Sequence, residues 1–170
     1  MKFPRSSGIL LHPTSLPGPG GIGTLGPDAL GFVKFLTDAR CSIWQMLPLG
    51  PTGYGDSPYQ CFSAFAGNPL LINLPAESEA TATGIGADVD FGTVIAEKRA
   101  ALRKLFQRFV PDARFERWIQ QQPWLEDFAL FSALKDVHSG SAWTAWAPAL
   151  AAHDPAALAT FAKAYARELA

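Results

Sequence analysis

The densest chemistry in the 170 residues lies in Gly50-Pro51-Thr52-Gly53-Tyr54-Gly55-Asp56-Ser57-Pro58-Tyr59-Gln60. Its glycines and prolines shape the backbone. Tyr54, Asp56, Ser57, Tyr59 and Gln60 add aromatic faces, one carboxylate and several hydrogen-bonding groups. That set suits a sugar, whose hydroxyls want planar donors and acceptors and whose apolar ring face wants an aromatic. The same residues would equally serve a loop that hydrogen-bonds itself and packs on its own scaffold. The residues alone leave both readings open.

Other chemistries fit less well. Gly21-Ile22-Gly23-Thr24-Leu25-Gly26 spells the GxGxxG dinucleotide pattern ahead of a helix. That motif needs its strand to run almost directly into the first glycine, so that backbone amides meet a pyrophosphate at the helix start. Here nine residues, three of them proline, separate Leu11 from Gly21, and Leu47-Pro48-Leu49-Gly50 stands where an acid would be needed. No cofactor is expected. His12, His138 and His153 share no metal-ligand spacing with one another or with Cys41 and Cys61. Trp143 and Trp146 have the types to stack a sugar or a base, but their place beside Pro148 reads as packing at a helix end. No GxSxG elbow occurs.

Composition narrows the partner classes. Hydrophobic residues make up 48% and aromatics 12%, enough for a packed core, and charged residues only 17%. Fourteen basic residues balance fifteen acidic ones, for a net charge of −1, so nothing favours nucleic acid or an anionic membrane. No apolar run approaches the roughly 18 residues of a membrane span, and Ile9-Leu10-Leu11 is too short for a signal peptide core. Two cysteines make no disulfide framework. A cytoplasmic protein is expected.

The elements that would position the loop follow from patterning. Prolines and glycines crowd the chain up to Pro75, and Ala, Arg and Gln dominate beyond it. The reading is therefore strands and shaped loops over 1–75 and mainly helices over 76–170. Gly8 to Leu11 reads as a buried strand, and Gly26-Pro27-Asp28 opens a helix with Leu30, Val33, Phe35 and Leu36 on its apolar side. Cys41 to Leu49 reads as a second buried strand, giving a strand-helix-strand unit of a parallel sheet. Pro69 to Leu74 reads as a short extended segment. Apolar spacing predicts a helix over 94–109, whose Lys98, Arg99, Arg103, Lys104 and Arg108 form a solvated face rather than a basic binding patch. Another helix begins at Pro123 and closes by Gly140, and Asp154-Pro155 opens a last one running on to Ala170.

Four motifs in order carry a family resemblance. Gly8-Ile9-Leu10-Leu11-His12-Pro13-Thr14-Ser15-Leu16-Pro17-Gly18 is the first, and Trp44-Gln45-Met46-Leu47-Pro48-Leu49-Gly50-Pro51-Thr52 the second. Gly55-Asp56-Ser57-Pro58-Tyr59-Gln60 and Ser63-Ala64-Phe65-Ala66-Gly67-Asn68-Pro69 complete the set. Together they resemble the amylomaltases, the 4-α-glucanotransferases of glycoside hydrolase family 77. The stretch from Trp124 to Lys135 resembles the family's helix in this region. Cys61 stands where the family usually has serine.

The resemblance implies an α/β fold, the N-terminal portion of a (β/α)8 TIM barrel with a helical insertion. Residues 1–75 would supply the first strands and catalytic-face loops, and 76–170 a mainly helical subdomain. It implies transfer of α-1,4-glucan segments between maltooligosaccharides by a retaining double displacement, without metal or organic cofactor. The substrate-binding candidates are Tyr59, matching the aromatic that stacks on sugar at the cleavage site, then Asp56, Ser57 and Tyr54. His12, Pro13 and Thr14 would lie on the same catalytic face. The family's carboxylate motifs, resembling R-I-D-H, A-E-D and H-D-N, do not occur in these residues. The chain then corresponds to about the first third of such an enzyme, inactive by itself, its strands left with open edges. A stand-alone carbohydrate-binding or interaction module is the alternative.

Overall fold

The computed structural model describes residues 4–75 and 88–165. They fall into two compact units, Met1–Val110 and Pro111–Ala170.

In the first unit, β1 (Gly8–Leu10) and β2 (Ile43–Gln45) pair in parallel, with Gly8 opposite Ile43, Ile9 opposite Trp44 and Leu10 opposite Gln45. Helix α1 (Pro27–Asp38) connects them, with Pro27 at its first position and Asp28 in its first turn, where the dipole favours an acid. The strand-helix-strand reading therefore holds. Both strands are shorter than their apolar runs, and neither is buried on two faces: Leu10 and Ile43 are exposed, Ile9 and Trp44 half-buried. Among the described residues no further strand pairs with either β1 or β2.

Helix α1 differs from expectation in its inward face. Ala29 and Leu36 are buried, and Phe32 meets the Trp44 ring edge-on at 4.9 Å. Residues 29, 32 and 36 share one helical stripe, whereas Leu30, Val33 and Phe35 are exposed. Trp44 also donates its indole N–H to the Leu11 carbonyl at 2.7 Å, and Leu11 N–H donates to the Gln45 carbonyl at 3.0 Å. One side chain thus ties β2 to the helix and to the end of β1.

Pro69 to Leu71 is a 3₁₀ turn, not an extended segment, because Asn68 accepts the Leu70 amide at 3.0 Å and caps it. Leu70 packs with Ile22 and Val94 in a small core. Val94 belongs to α2 (Phe91–Phe106), which starts and ends earlier than the expected 94–109 and buries Lys98, a residue expected on its solvated face. The early start is due to Asp90, whose carboxylate accepts both the Thr93 amide and hydroxyl, so that the helix is capped ahead of its first buried residue.

The second unit is helical. Helix α3 (Ala113–Gln120), absent from the sequence reading, is capped by Asp112, which accepts the Phe115 amide at 2.7 Å. Helix α4 (Leu125–Val137) is followed by the single turn α5 (Pro148–Ala151) and by α6 (Pro155–Ala164). Ala133, Leu134, Trp146, Leu158 and Phe161 form the core. Asp154 caps α6 through the Ala157 amide at 2.8 Å, as its position before Pro155 implied. The helix closes at Ala164, and its expected continuation over 166–170 lies outside the described residues, as does 76–87.

Candidate functional site

Because β1 and β2 run parallel, the chain leaves both strands at the same end of the sheet. One loop beyond them begins at His12 and the other at Gly50. The second is a narrow hairpin. Its neck is tied by Asn68 N–H donating to the Leu49 carbonyl at 2.8 Å, and its stalk by Phe62 N–H to the Pro51 carbonyl at 2.9 Å. Thr52 and Cys61 pair antiparallel, and Gly53 N–H donates to the Gln60 carbonyl at 2.8 Å. Gly53 is needed here. A Cβ on it would meet that same carbonyl at 2.7 Å and the Phe62 ring at 3.0 Å.

Two consecutive turns form the tip. Tyr54–Asp56 is a 3₁₀ turn in which Gly55 and Asp56 take left-handed φ of 65° and 52°. Glycine adopts that conformation freely, but aspartate at some cost. Ser57 to Gln60 is a turn closed by Gln60 N–H to the Ser57 carbonyl at 3.0 Å, with Pro58 at its second position. Tyr54 and Tyr59 stand out at 88% and 72% exposure, while Asp56 and Ser57 are half-buried. The structure therefore brings all four sequence-picked residues onto one tip, with two aromatic faces turned to solvent. A hydrogen-bonded stalk that holds bare rings at its end can receive an apolar sugar face without first ordering its own backbone.

The first loop is built differently. Pro13 is fully buried, and His12 caps the 3₁₀ turn Pro13–Ser15. His12 Nδ1 accepts the Thr14 amide, so the Thr14 hydroxyl, 2.6 Å from the same nitrogen, must donate as well. Burial lowers the His12 pKa below its ordinary value, and the Pro48 carbonyl partly offsets this. The neutral ring is thus a structural acceptor, with Nε2 buried.

The GxGxxG loop spends its amides on the chain itself: Gly21 on Gly18, Gly23 on Thr14 and Leu25 on Leu71. Trp146 is buried and stacks on His138 at 5.5 Å, as packing requires, while Trp143 is exposed. Cys41 and Cys61 are both free. Among the described residues no group of three or more His, Cys, Asp or Glu could hold a metal ion, and no helix is long and apolar enough to cross a membrane. Cys61 in place of the family's serine put one loop hydrogen bond in question, and the sequence reading missed the bracing by Ser63 altogether. The Cys61 thiol donates to the Pro58 carbonyl, and Ser63 Oγ accepts the amides of Phe65 and Ala66. Ser-x-Phe-Ala was a readable signal for the Ser63 brace, and at Cys61 the thiol keeps the loop hydrogen bond that its replacement of serine had put in question.

Residues 11–170 match the family model described as 4-alpha-glucanotransferase, glycoside hydrolase family 77. The chain is 46% identical to a 4-alpha-glucanotransferase of Thermus thermophilus, covering 100% of this chain and 37% of the relative. A 4-alpha-glucanotransferase of Synechocystis is 43% identical, over 91% of this chain and 34% of its own length. Among solved structures, an amylomaltase from Streptococcus agalactiae in complex with acarbose superposes with a TM-score of 0.87 at 34% identity. That match covers 98% of this chain and 37% of the other. The chain thus spans little more than a third of the length of these three proteins. Its fold is the N-terminal portion of a (β/α)8 barrel with a helical insertion, and the barrel is not closed among the described residues.

Proposed function

The chain belongs to the 4-alpha-glucanotransferase family, and on that premise we propose that the protein carrying it transfers α-1,4-glucan segments between maltooligosaccharides or glucan chains. The reaction is a retaining double displacement. A carboxylate attacks the anomeric carbon, a second acid protonates the leaving oxygen, and an acceptor's 4-hydroxyl takes the glucosyl unit. Two carboxyl groups roughly 5 Å apart are required for this. The hairpin tip holds a single one, Asp56, so the catalytic pair is assigned outside residues 1–170.

The role of this segment is recognition. Tyr59 lays its ring on a glucose unit, and Asp56, Ser57 and Tyr54 line the same tip by contact with hydroxyls or by shaping the loop. Residues 1–75 supply the first barrel strands and their loops, and 76–170 the helical insertion. The neighbour bound to acarbose supports an oligosaccharide of that kind as ligand. A cytoplasmic location and a reaction without metal or cofactor complete the proposal.

The observation that carries it is the hydrogen-bonded hairpin with exposed Tyr59 and Tyr54 in the loop that follows β2, since parallel α/β folds build their sites from the loops beyond strand C-terminal ends. Incubation with maltotriose tests it. The full encoded protein should release glucose and build longer oligosaccharides, and residues 1–170 alone should not. Turnover by 1–170 would overturn the assignment of the carboxylates. A full protein that binds oligosaccharide without turnover would instead support a carbohydrate-binding module.

A further inference from the structure

Tyr59 follows Pro58 in the tip turn, and the peptide unit between them is gripped at both of its polar atoms by side chains. At one edge the Tyr59 N–H donates to Ser57 Oγ at 3.3 Å. At the other the Pro58 carbonyl accepts from the Cys61 thiol at 2.9 Å. The gripping residues are themselves anchored. Ser57 is fixed through its carbonyl to Gln60 N–H, and Cys61 through its pairing with Thr52 in the stalk.

Proline locks its own φ, so the rotations left at this point are ψ of Pro58 and φ of Tyr59. Turning that peptide plane swings the Cα–Cβ direction of Tyr59. An exposed ring has no packing to hold its direction, and Tyr59 is 72% exposed. Its aim must therefore come from the backbone beneath it.

Resting on the reading of Tyr59 as the sugar-stacking ring, we propose that Ser57 and Cys61 are positioning residues that lock the Pro58–Tyr59 peptide plane and so aim that ring. Ser57 then acts in recognition through Tyr59, and its oxygen is engaged as an acceptor within the loop. Cys61 acts as a donor, and a hydroxyl can replace its thiol.

Disproportionation of maltotriose by the full encoded protein reads this directly. Ser57→Ala and Cys61→Ala each remove one grip, and each should raise KM about fivefold, the factor that one typical net hydrogen bond of about 1 kcal/mol represents. Their kcat should stay near the parent's, and any drop in their unfolding midpoints should correspond to no more than about 1 kcal/mol of stability, the loss of one such bond. Cys61→Ser keeps a donor and should return KM toward the parent value. Failure of that rescue overturns the role of Cys61 even if Cys61→Ala folds poorly. Tyr59→Ala is run alongside. A raised KM there, with KM unchanged in Ser57→Ala and Cys61→Ala, overturns the positioning role and leaves the Tyr59 reading standing. An unchanged KM in Tyr59→Ala, or a parent without turnover, overturns both.

Discussion

The hairpin tip and the Trp143–Trp146 turn each hold two aromatics in a short, irregular stretch, and from sequence either could have stacked a sugar. The structure separates them by what each fixes. At the Trp turn Trp143 is exposed, but the Trp146 ring is held and kept from water: it is 7% exposed, packed with Leu134, Leu158 and Phe161 and stacked on His138. At the hairpin the backbone is held and the rings are bare. An aromatic that stabilises a fold is buried by side chains. One that awaits a ligand stands on a backbone whose polar groups are already paired.

The widest gap between the two regions should appear in stability. Trp146→Ala removes a buried indole and should cost about 3–5 kcal/mol, read as a lower urea midpoint of the full protein. Tyr59→Ala removes an exposed ring and should stay within about 0.5 kcal/mol of the parent. A comparable loss in Tyr59→Ala would break the distinction, since it would make that ring a packing residue.

A smaller effect sharpens it. Asp56 and Ser139 have nearly the same left-handed φ, 52° and 51°. Ser139 follows α4, where its amide bonds the Asp136 carbonyl and the next amide, of Gly140, bonds the Lys135 carbonyl, the Schellman pattern that usually takes glycine. Glycine at either position relieves the strain and should raise stability by about 0.5–1 kcal/mol after its own entropic cost. Only Asp56→Gly should also raise KM for maltotriose. Equal KM values in Asp56→Gly and Ser139→Gly would remove Asp56 from the binding face.

The smallest expected effect concerns pH. Burial lowers the His12 pKa below its ordinary value, with the Pro48 carbonyl offsetting part of this, and its Nδ1 is engaged as an acceptor by Thr14. The unfolded chain takes up a proton near pH 6.5, whereas the folded state does so only at lower pH. Stability should therefore fall as pH drops through about 6.5 and level off below the folded pKa. Urea midpoints at pH 7.5 and 5.0 should differ more for the parent than for His12→Gln. Identical differences would show that the His12 turn does not carry a proton-linked contribution.

Much of this was legible in the residues. Pro27-Asp28, and Asp154 ahead of Pro155, announced their helices because proline and a capping acid act locally. The parallel pair followed from two apolar runs flanking one helical pattern. Pro69-Leu70-Leu71 misled because its apolar content suits a strand as well as a buried 3₁₀ turn, and the Asn68 cap decides between them. Helix α3 was missed although Asp112, Phe115, Trp118 and Ile119 carry its cap and its spacing. It buries none of its residues, so no apolar run advertised it. At the site, the identities of Tyr54, Asp56, Ser57 and Tyr59 were readable. The gripped Pro58–Tyr59 peptide was not, since it depends on where the stalk returns Cys61.

The central claim is that the hairpin presents the face of Tyr59 to a glucan, and calorimetric titration of acarbose into the full encoded protein tests it most directly. Tyr59→Phe keeps the ring face and should bind close to the parent. Tyr59→Ala loses it and should weaken binding by about 1 kcal/mol or more, a factor of at least about fivefold in Kd. Parent-like affinity in Tyr59→Ala would contradict the account.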